Sequence, residues 1–154
     1  MWTVRRVDWL ARKYAVEAGK DLVGQLSFRS WSGGILLDGE RLDVQREGIW
    51  SPKLHLVKKR ERLATARSQG AFRRGFVMTH GSEEYHLERA GHFSHSYRLK
   101  RGERELGRFE KEGWFRHGYR IELDDELPLE LRLFAVWLIV FALRAGAAAA
   151  AAAT

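Results

Sequence analysis

Apolar residues recur at every second position in short runs over most of this chain, as in Tyr14-x-Val16, Leu42-x-Val44, Leu54-x-Leu56 and Tyr97-x-Leu99. A period of two sends alternate side chains to opposite faces of an extended segment, so the pattern predicts half-buried β-strands. Twelve segments carry it, at residues 2–9, 13–17, 22–28, 34–37, 42–46, 53–57, 63–67, 75–79, 85–89, 96–100, 105–110 and 119–123, divided by glycine or charged turns. Helical spacing is scarcely found before residue 125.

The segments also resemble one another. An offset of 83 sets Tyr14 on Tyr97, Val16 on Leu99, Gly19 on Gly102, Gly24 on Gly107 and Leu26 on Phe109. An offset of 43 sets Leu42 on Tyr85, Val44 on Leu87, Arg46 on Arg89, Leu56 on Leu99, Ala64 on Gly107 and Phe72 on Phe115. Three hairpin-based units of about forty residues result. Gly24, Ala64 and Gly107 hold matched places inside strands, where so small a residue weakens a sheet. A close backbone approach, a bulge or a sharply curved barrel wall would each account for them.

The pattern changes after residue 124. Asp124, Asp125 and Glu126 suit a helix N-terminus, Pro128 suits its first turn, and Arg144 with Gly146 suits its exit, which predicts a helix near 127–144 and an alanine-rich tail over 145–154. Residues 133–143 are apolar on every face, so this helix must be enclosed. Eleven residues rise about 16 Å, short of the roughly 30 Å of a hydrocarbon core. The expectation is therefore a helix buried inside the protein, with a tail-anchored membrane protein as the alternative.

Composition narrows the partners without choosing among them. Of 154 residues, 27 are Lys or Arg and 20 are Asp or Glu, a net charge of +7 that attracts anions in general. Cysteine and asparagine are absent, which excludes disulfides, thiolate metal sites, cysteine nucleophiles and N-glycosylation. Charges at Arg5 and Arg6 interrupt the place of a signal peptide's apolar stretch, so a cytoplasmic setting is expected.

Repeated strand units such as YAVEAGKDLVGQLSF and YRLKRGERELGRFEK, followed by ELPLELRLFAVWLIVFAL, resemble the tubby C-terminal-like superfamily, which includes the LURP-one-related proteins and the phospholipid scramblases. The resemblance covers nearly the whole chain. It implies a mainly β fold, an antiparallel closed barrel of about twelve strands around a central hydrophobic C-terminal helix, and a membrane-facing role. No phosphoinositide-binding motif of that superfamily maps onto particular residues here, so lipid binding follows by analogy of fold alone.

The densest basic run is Lys58, Lys59, Arg60 and Arg62, which with Arg73 and Arg74 forms a candidate site for anionic lipid headgroups at a membrane surface or for an acidic protein partner. A solvated, charged hairpin turn is the plainer identity for the same residues. Trp50, Phe72, Phe76, Phe93 and Phe115 lie near basic residues but fit inward positions, and no nucleic-acid-binding motif is present. His92 and His95 would need a third ligand such as His86 or Glu83 to hold a metal. No nucleophile elbow, phosphate-cradling loop or zinc-protease motif occurs, so the chain is expected to be a binding or regulatory module and not an enzyme, without metal or cofactor.

Overall fold

The computed structural model describes residues 1–8, 10, 12–30, 32–49, 53–69, 75–91, 95–112 and 118–152, with the backbone alone at 112 and 146–152. The alternating segments form twelve strands: β1 (Trp2–Arg6), β2 (Lys13–Ala18), β3 (Asp21–Phe28), β4 (Gly33–Leu37), β5 (Glu40–Glu47), β6 (Lys53–Lys58), β7 (Glu61–Ser68), β8 (Gly75–His80), β9 (Glu83–Arg89), β10 (Tyr97–Arg101), β11 (Arg104–Glu112) and β12 (Gly118–Leu123). Each pairs antiparallel with the next, and β1 pairs with β12, closing the sheet into a barrel. A single helix, α1 (Leu129–Ala152), follows. The expected mainly β barrel around a C-terminal helix is the observed architecture.

Period two decides which side chains enter the barrel. Val16, Leu26, Ile35, Val44, Leu56, Met78, Leu87, Leu99, Phe109 and Ile121 are buried inside, while the intervening Arg41, Arg62, Arg67, Arg98 and Arg108 face out. An apolar interior and a charged exterior reverse the arrangement of a membrane-spanning barrel.

The helix fills the interior. Leu131 and every residue from Leu133 to Ala142 are buried in one core with the inward strand residues. The twelve-residue span from Leu131 to Ala142 rises about 18 Å. Trp137 is wholly enclosed, stacked between Phe28 (4.9 Å between ring centroids) and Phe141 (5.2 Å), and its indole Nε1–H donates to Ser27 O at 3.0 Å.

The three units of the sequence are three four-stranded assemblies, each a third of the ring: β2–β5, β6–β9, and β10–β12 completed by β1. Trp2, Val4 and Arg6 thereby occupy the places of Leu42, Val44, Arg46 and of Tyr85, Leu87, Arg89. The same register shift interrupts β2/β3 after Val16, β6/β7 after Leu56 and β10/β11 after Leu99. Gly24, Ala64 and Gly107 sit opposite those three residues, so the small side chains mark bulges. They also admit close neighbours: a Cβ on Gly24 would lie 3.1 Å from Leu36 O and 3.3 Å from Leu133 Cδ1.

Gly33 breaks the threefold pattern. Its inward equivalents are Phe76 and Tyr119, yet a Cβ here would collide with Ser27 O and stand 3.1 Å from Trp137 Nε1. The glycine thus vacates the volume that the Trp137 indole occupies.

Two sequence expectations are corrected. The first strand ends at Arg6 and not at residue 9, because Asp8 Oδ1 accepts hydrogen bonds from the backbone N–H groups of Arg12 (2.9 Å) and Lys13 (3.0 Å) and turns the chain. The helix does not exit at Gly146. It continues to Ala152, since alanine has the highest helix propensity and outweighs one glycine. The acidic residues expected at the helix start precede it: Asp124 Oδ1 accepts from Glu126 N at 2.9 Å, and Pro128 O accepts the first helical bond from Arg132 N at 3.0 Å.

Replacing Trp137 with Ala is expected to destabilise the fold by about 3–5 kcal/mol, read as a fall in the urea unfolding midpoint. Trp137→Phe keeps most of the packing but strands Ser27 O, and is expected to cost about 1–3 kcal/mol.

Candidate functional site

The five two-residue turns at 19–20, 38–39, 59–60, 81–82 and 102–103 lie at one mouth of the barrel, with the segment that leads into α1. The strand ends that lead into the longer connections, at Arg6, Phe28, Glu47, Ser68, Arg89 and Glu112, lie at the other. Glu130 near Lys58 marks the turn mouth as the helix entrance, and Arg144, its guanidinium 4.7 Å from the Phe28 ring centroid, marks the loop mouth as its exit. Because α1 occupies the lumen between them, binding chemistry is left to the mouths and the outer wall.

The basic run singled out in the sequence sits at the turn mouth. Lys59 and Arg60 adopt left-handed backbone conformations (φ 48° and 69°) that turn β6 into β7 in two residues. Lys58 Nζ lies 3.0 Å from Glu40 and 3.9 Å from Glu130, and Lys59 Nζ lies 3.7 Å from Glu40. The Lys58 hydrogen bond, helped by its charge, holds the Glu40 carboxyl below the usual carboxylate range, and the same bond raises Lys58. Arg62 is on the outer wall, 3.7 Å from Glu47. Arg60 makes no ion pair among the described residues. Arg73 and Arg74 lie outside the described residues.

Beside Lys58 and Lys59 is a cleft of about 280 Å³ floored by Leu56, Leu63 and Leu131. Its rim carries Lys58, Lys59, Glu61 and Glu130, two charges of each sign. His80 Nδ1 donates to Leu63 O at 2.9 Å, because a carbonyl only accepts. The rest of this mouth is similarly balanced: Arg101 pairs with Glu126 at 3.1 Å, Arg104 with Glu126 at 3.0 Å, and Arg132 with Asp125 at 3.2 Å.

One titratable cluster on the outer wall was not evident in the sequence. His55, buried although it points outward, lies 2.9 Å from Thr65 Oγ1 through Nδ1 and hydrogen-bonds Glu47 through Nε2. Hydroxyl, imidazole and carboxylate follow one another across three adjacent strands, the order used in nucleophilic catalysis. The surrounding strands β5 to β8 are hydrogen-bonded to neighbours on both sides, so their ladders consume the amides that an oxyanion hole would need. Among the described residues, no three histidine, aspartate or glutamate side chains converge as metal ligands. His92 lies outside the described residues; His95 is in a connection at the loop mouth and Glu83 is beside the turn mouth. Phe76 is buried as expected, whereas Trp50, Phe72, Phe93 and Phe115 lie outside the described residues.

The cationic residues at the loop mouth are arranged differently. Arg6, Arg46 and Arg89 take the inward-facing position one step beyond Val4, Val44 and Leu87, and Arg144 joins them from the helix. Burial raises the pKa values of Tyr14, Tyr97 and Tyr119, and these arginines oppose it: Arg144 and Arg6 at Tyr14, Arg89 at the other two. The signal was legible in part, since the offset of 43 already sets Arg46 on Arg89. Arg6 joined them only when β1 closed the barrel.

The His55 hydrogen bond, reinforced by charge, holds the Glu47 carboxyl below its ordinary value of 4.5. A depressed folded-state pKa stabilises the protein above the unfolded value and is lost as pH falls through the folded one. Glu47→Gln is therefore expected to lower the urea midpoint at about pH 7, with the difference from wild type shrinking toward about pH 3.

Among protein-family models, curated proteins and solved structures, no match to this chain is found.

Proposed function

We propose that this chain is a non-enzymatic binding module that attaches peripherally to anionic lipid surfaces through the outside of its barrel. The observation that carries this reading is the filled lumen. A barrel whose interior is packed by Leu131 and Leu133–Ala142 has no room to carry a ligand inside, so recognition falls to its surface, and the chain carries a net charge of +7. Anionic headgroups present a broad field of negative charge, and basic residues near such a surface contribute about 1 kcal/mol each. The resemblance to tubby-like and scramblase-like barrels supports a membrane-facing role.

Among the described residues, no helix is long and apolar enough to cross a membrane. The one wholly apolar helix is engaged by the barrel wall, which favours attachment from outside over a tail anchor. An acidic protein partner would use the same charge, and the vesicle experiment separates the two.

Flotation with phosphatidylcholine vesicles, with and without phosphatidylserine, tests the proposal. Preferential association with anionic vesicles at about 0.15 M salt, declining as salt rises and the screening length shortens, is the expected result. Equal association with neutral vesicles, or none with either, would overturn it.

A further inference from the structure

We infer that the cleft at the turn mouth is a binding site for a small zwitterion with an apolar side chain, of the chemistry of a free aliphatic or aromatic α-amino acid. It stands apart from the lipid-surface reading, which concerns the outside of the barrel.

The cleft exists because one unit departs from the other two. Leu37, His80 and Leu123 recur at a spacing of 43 and are the last residues of β4, β8 and β12. The ladder sets Leu123 opposite Gly107, and the same register sets Leu37 opposite Gly24 and His80 opposite Ala64. Leucines close the space over the two glycines: a Cβ on Gly107 would collide with Leu123 Cδ2, and one on Gly24 would lie 3.3 Å from Leu133 Cδ1. In the middle unit Ala64 and His80 instead line about 280 Å³ of open volume above Leu56, Leu63 and Leu131.

The fold accounts for only half of the His80 ring. Nδ1 donates to Leu63 O at 2.9 Å, and Leu63 is the bulged residue left out of the β6/β7 pairing. A bulge does not by itself demand an imidazole, because in the third unit the matching carbonyl, Leu106 O, accepts from Asp124 N at 2.8 Å beside a leucine at 123. On the other edge of the ring, Nε2 has no partner among the described residues. With Nδ1–H committed, Nε2 accepts from a ligand N–H when the ring is neutral and donates to a carboxylate when it is protonated.

The rim selects the charge of the ligand. Lys58 is held by Glu40 at 3.0 Å, whereas the Lys59 side chain is 81% exposed, 3.7 Å from the same carboxylate, and keeps N–H donors for a ligand. Glu61 acts on Lys58 through its field without a direct ion pair among the described residues. A lone carboxylate in the cleft would face Glu61 and Glu130, and a lone amine would face Lys58 and Lys59. A zwitterion satisfies both signs, with its carboxylate at Lys59, its ammonium at Glu61 and its side chain on the leucine floor. The volume equals about nine waters of liquid and falls below the roughly 300–1,000 Å³ of pockets for drug-sized ligands, so one amino acid fits and a peptide does not.

Titration of the full chain with L-phenylalanine, followed by protein NMR, tests the assignment. Saturable shifts at residues 58–64 and at the His80 ring, with a dissociation constant of about 1 mM or lower, are the expected result. N-acetyl-L-phenylalanine, which lacks the ammonium, and L-phenylalaninamide, which lacks the carboxylate, are each expected to bind about tenfold or more weakly. His80→Leu restores the residue of the other two units; it is expected to keep the near-ultraviolet dichroism and to lose about tenfold or more in affinity as the cleft fills. Lys59→Gln should erase the preference for phenylalanine over its amide, and Glu61→Gln the preference over the N-acetyl form. These two exposed positions carry the test if His80→Leu fails to fold. Absence of binding at about 10 mM phenylalanine, equal binding of the three compounds, or wild-type affinity in a folded His80→Leu would overturn the site.

Discussion

A closed wall of twelve strands encloses more space than its own inward side chains can fill, and the rest of this structure follows from that excess. Barrels of about eight strands are filled by side chains alone, and much wider ones hold water. Here the remaining space accepts one helix, about 10 Å across with its side chains. The helix must then be apolar on all faces, as residues 133–142 are. The dependence is mutual: without α1 the wall would surround a void, and without the wall the helix would expose Phe134, Trp137 and Phe141 to water.

Fitting an asymmetric helix into a nearly threefold wall requires local exceptions. The bulges opposite Gly24, Ala64 and Gly107 recur in all three units because each hairpin must bend by the same amount to close the ring. Gly33 recurs in none. It stands where the other units have Phe76 and Tyr119 because Trp137, which has no threefold mates, needs that space and hydrogen-bonds the adjacent Ser27 carbonyl. Symmetry thus accounts for the wall, and the single helix accounts for where the wall departs from it.

The threaded helix also gives the barrel two unlike mouths. Tight hairpin turns crowd the entrance, where short connections hold lysines and arginines within reach of Glu40, Glu126 and Glu130. Longer connections frame the exit, and there repeat-related arginines face the helix. Positive charge at the entrance is largely compensated, so density of Lys and Arg along the sequence is a poor guide to where this protein presents an attractive potential. Pairing depends on which carboxylates the register brings opposite, and Lys58, Glu40 and Glu130 are far apart in the chain.

The sequence by itself determined the strands, their threefold repetition, the buried helix and the bulge-bearing small residues, because each leaves a local trace: period two, a constant offset, an all-apolar run, a glycine within a strand. Tertiary structure decided what depends on closure. Only the β1–β12 pairing gives Arg6 the repeat position of Arg46 and Arg89 at the same mouth, only the close approach of Ser27 O and the Trp137 indole explains Gly33, and only the ladder register buries His55 between Glu47 and Thr65. Neighbours in a list of basic residues can belong to opposite ends of a barrel, since each strand carries the chain from one mouth to the other.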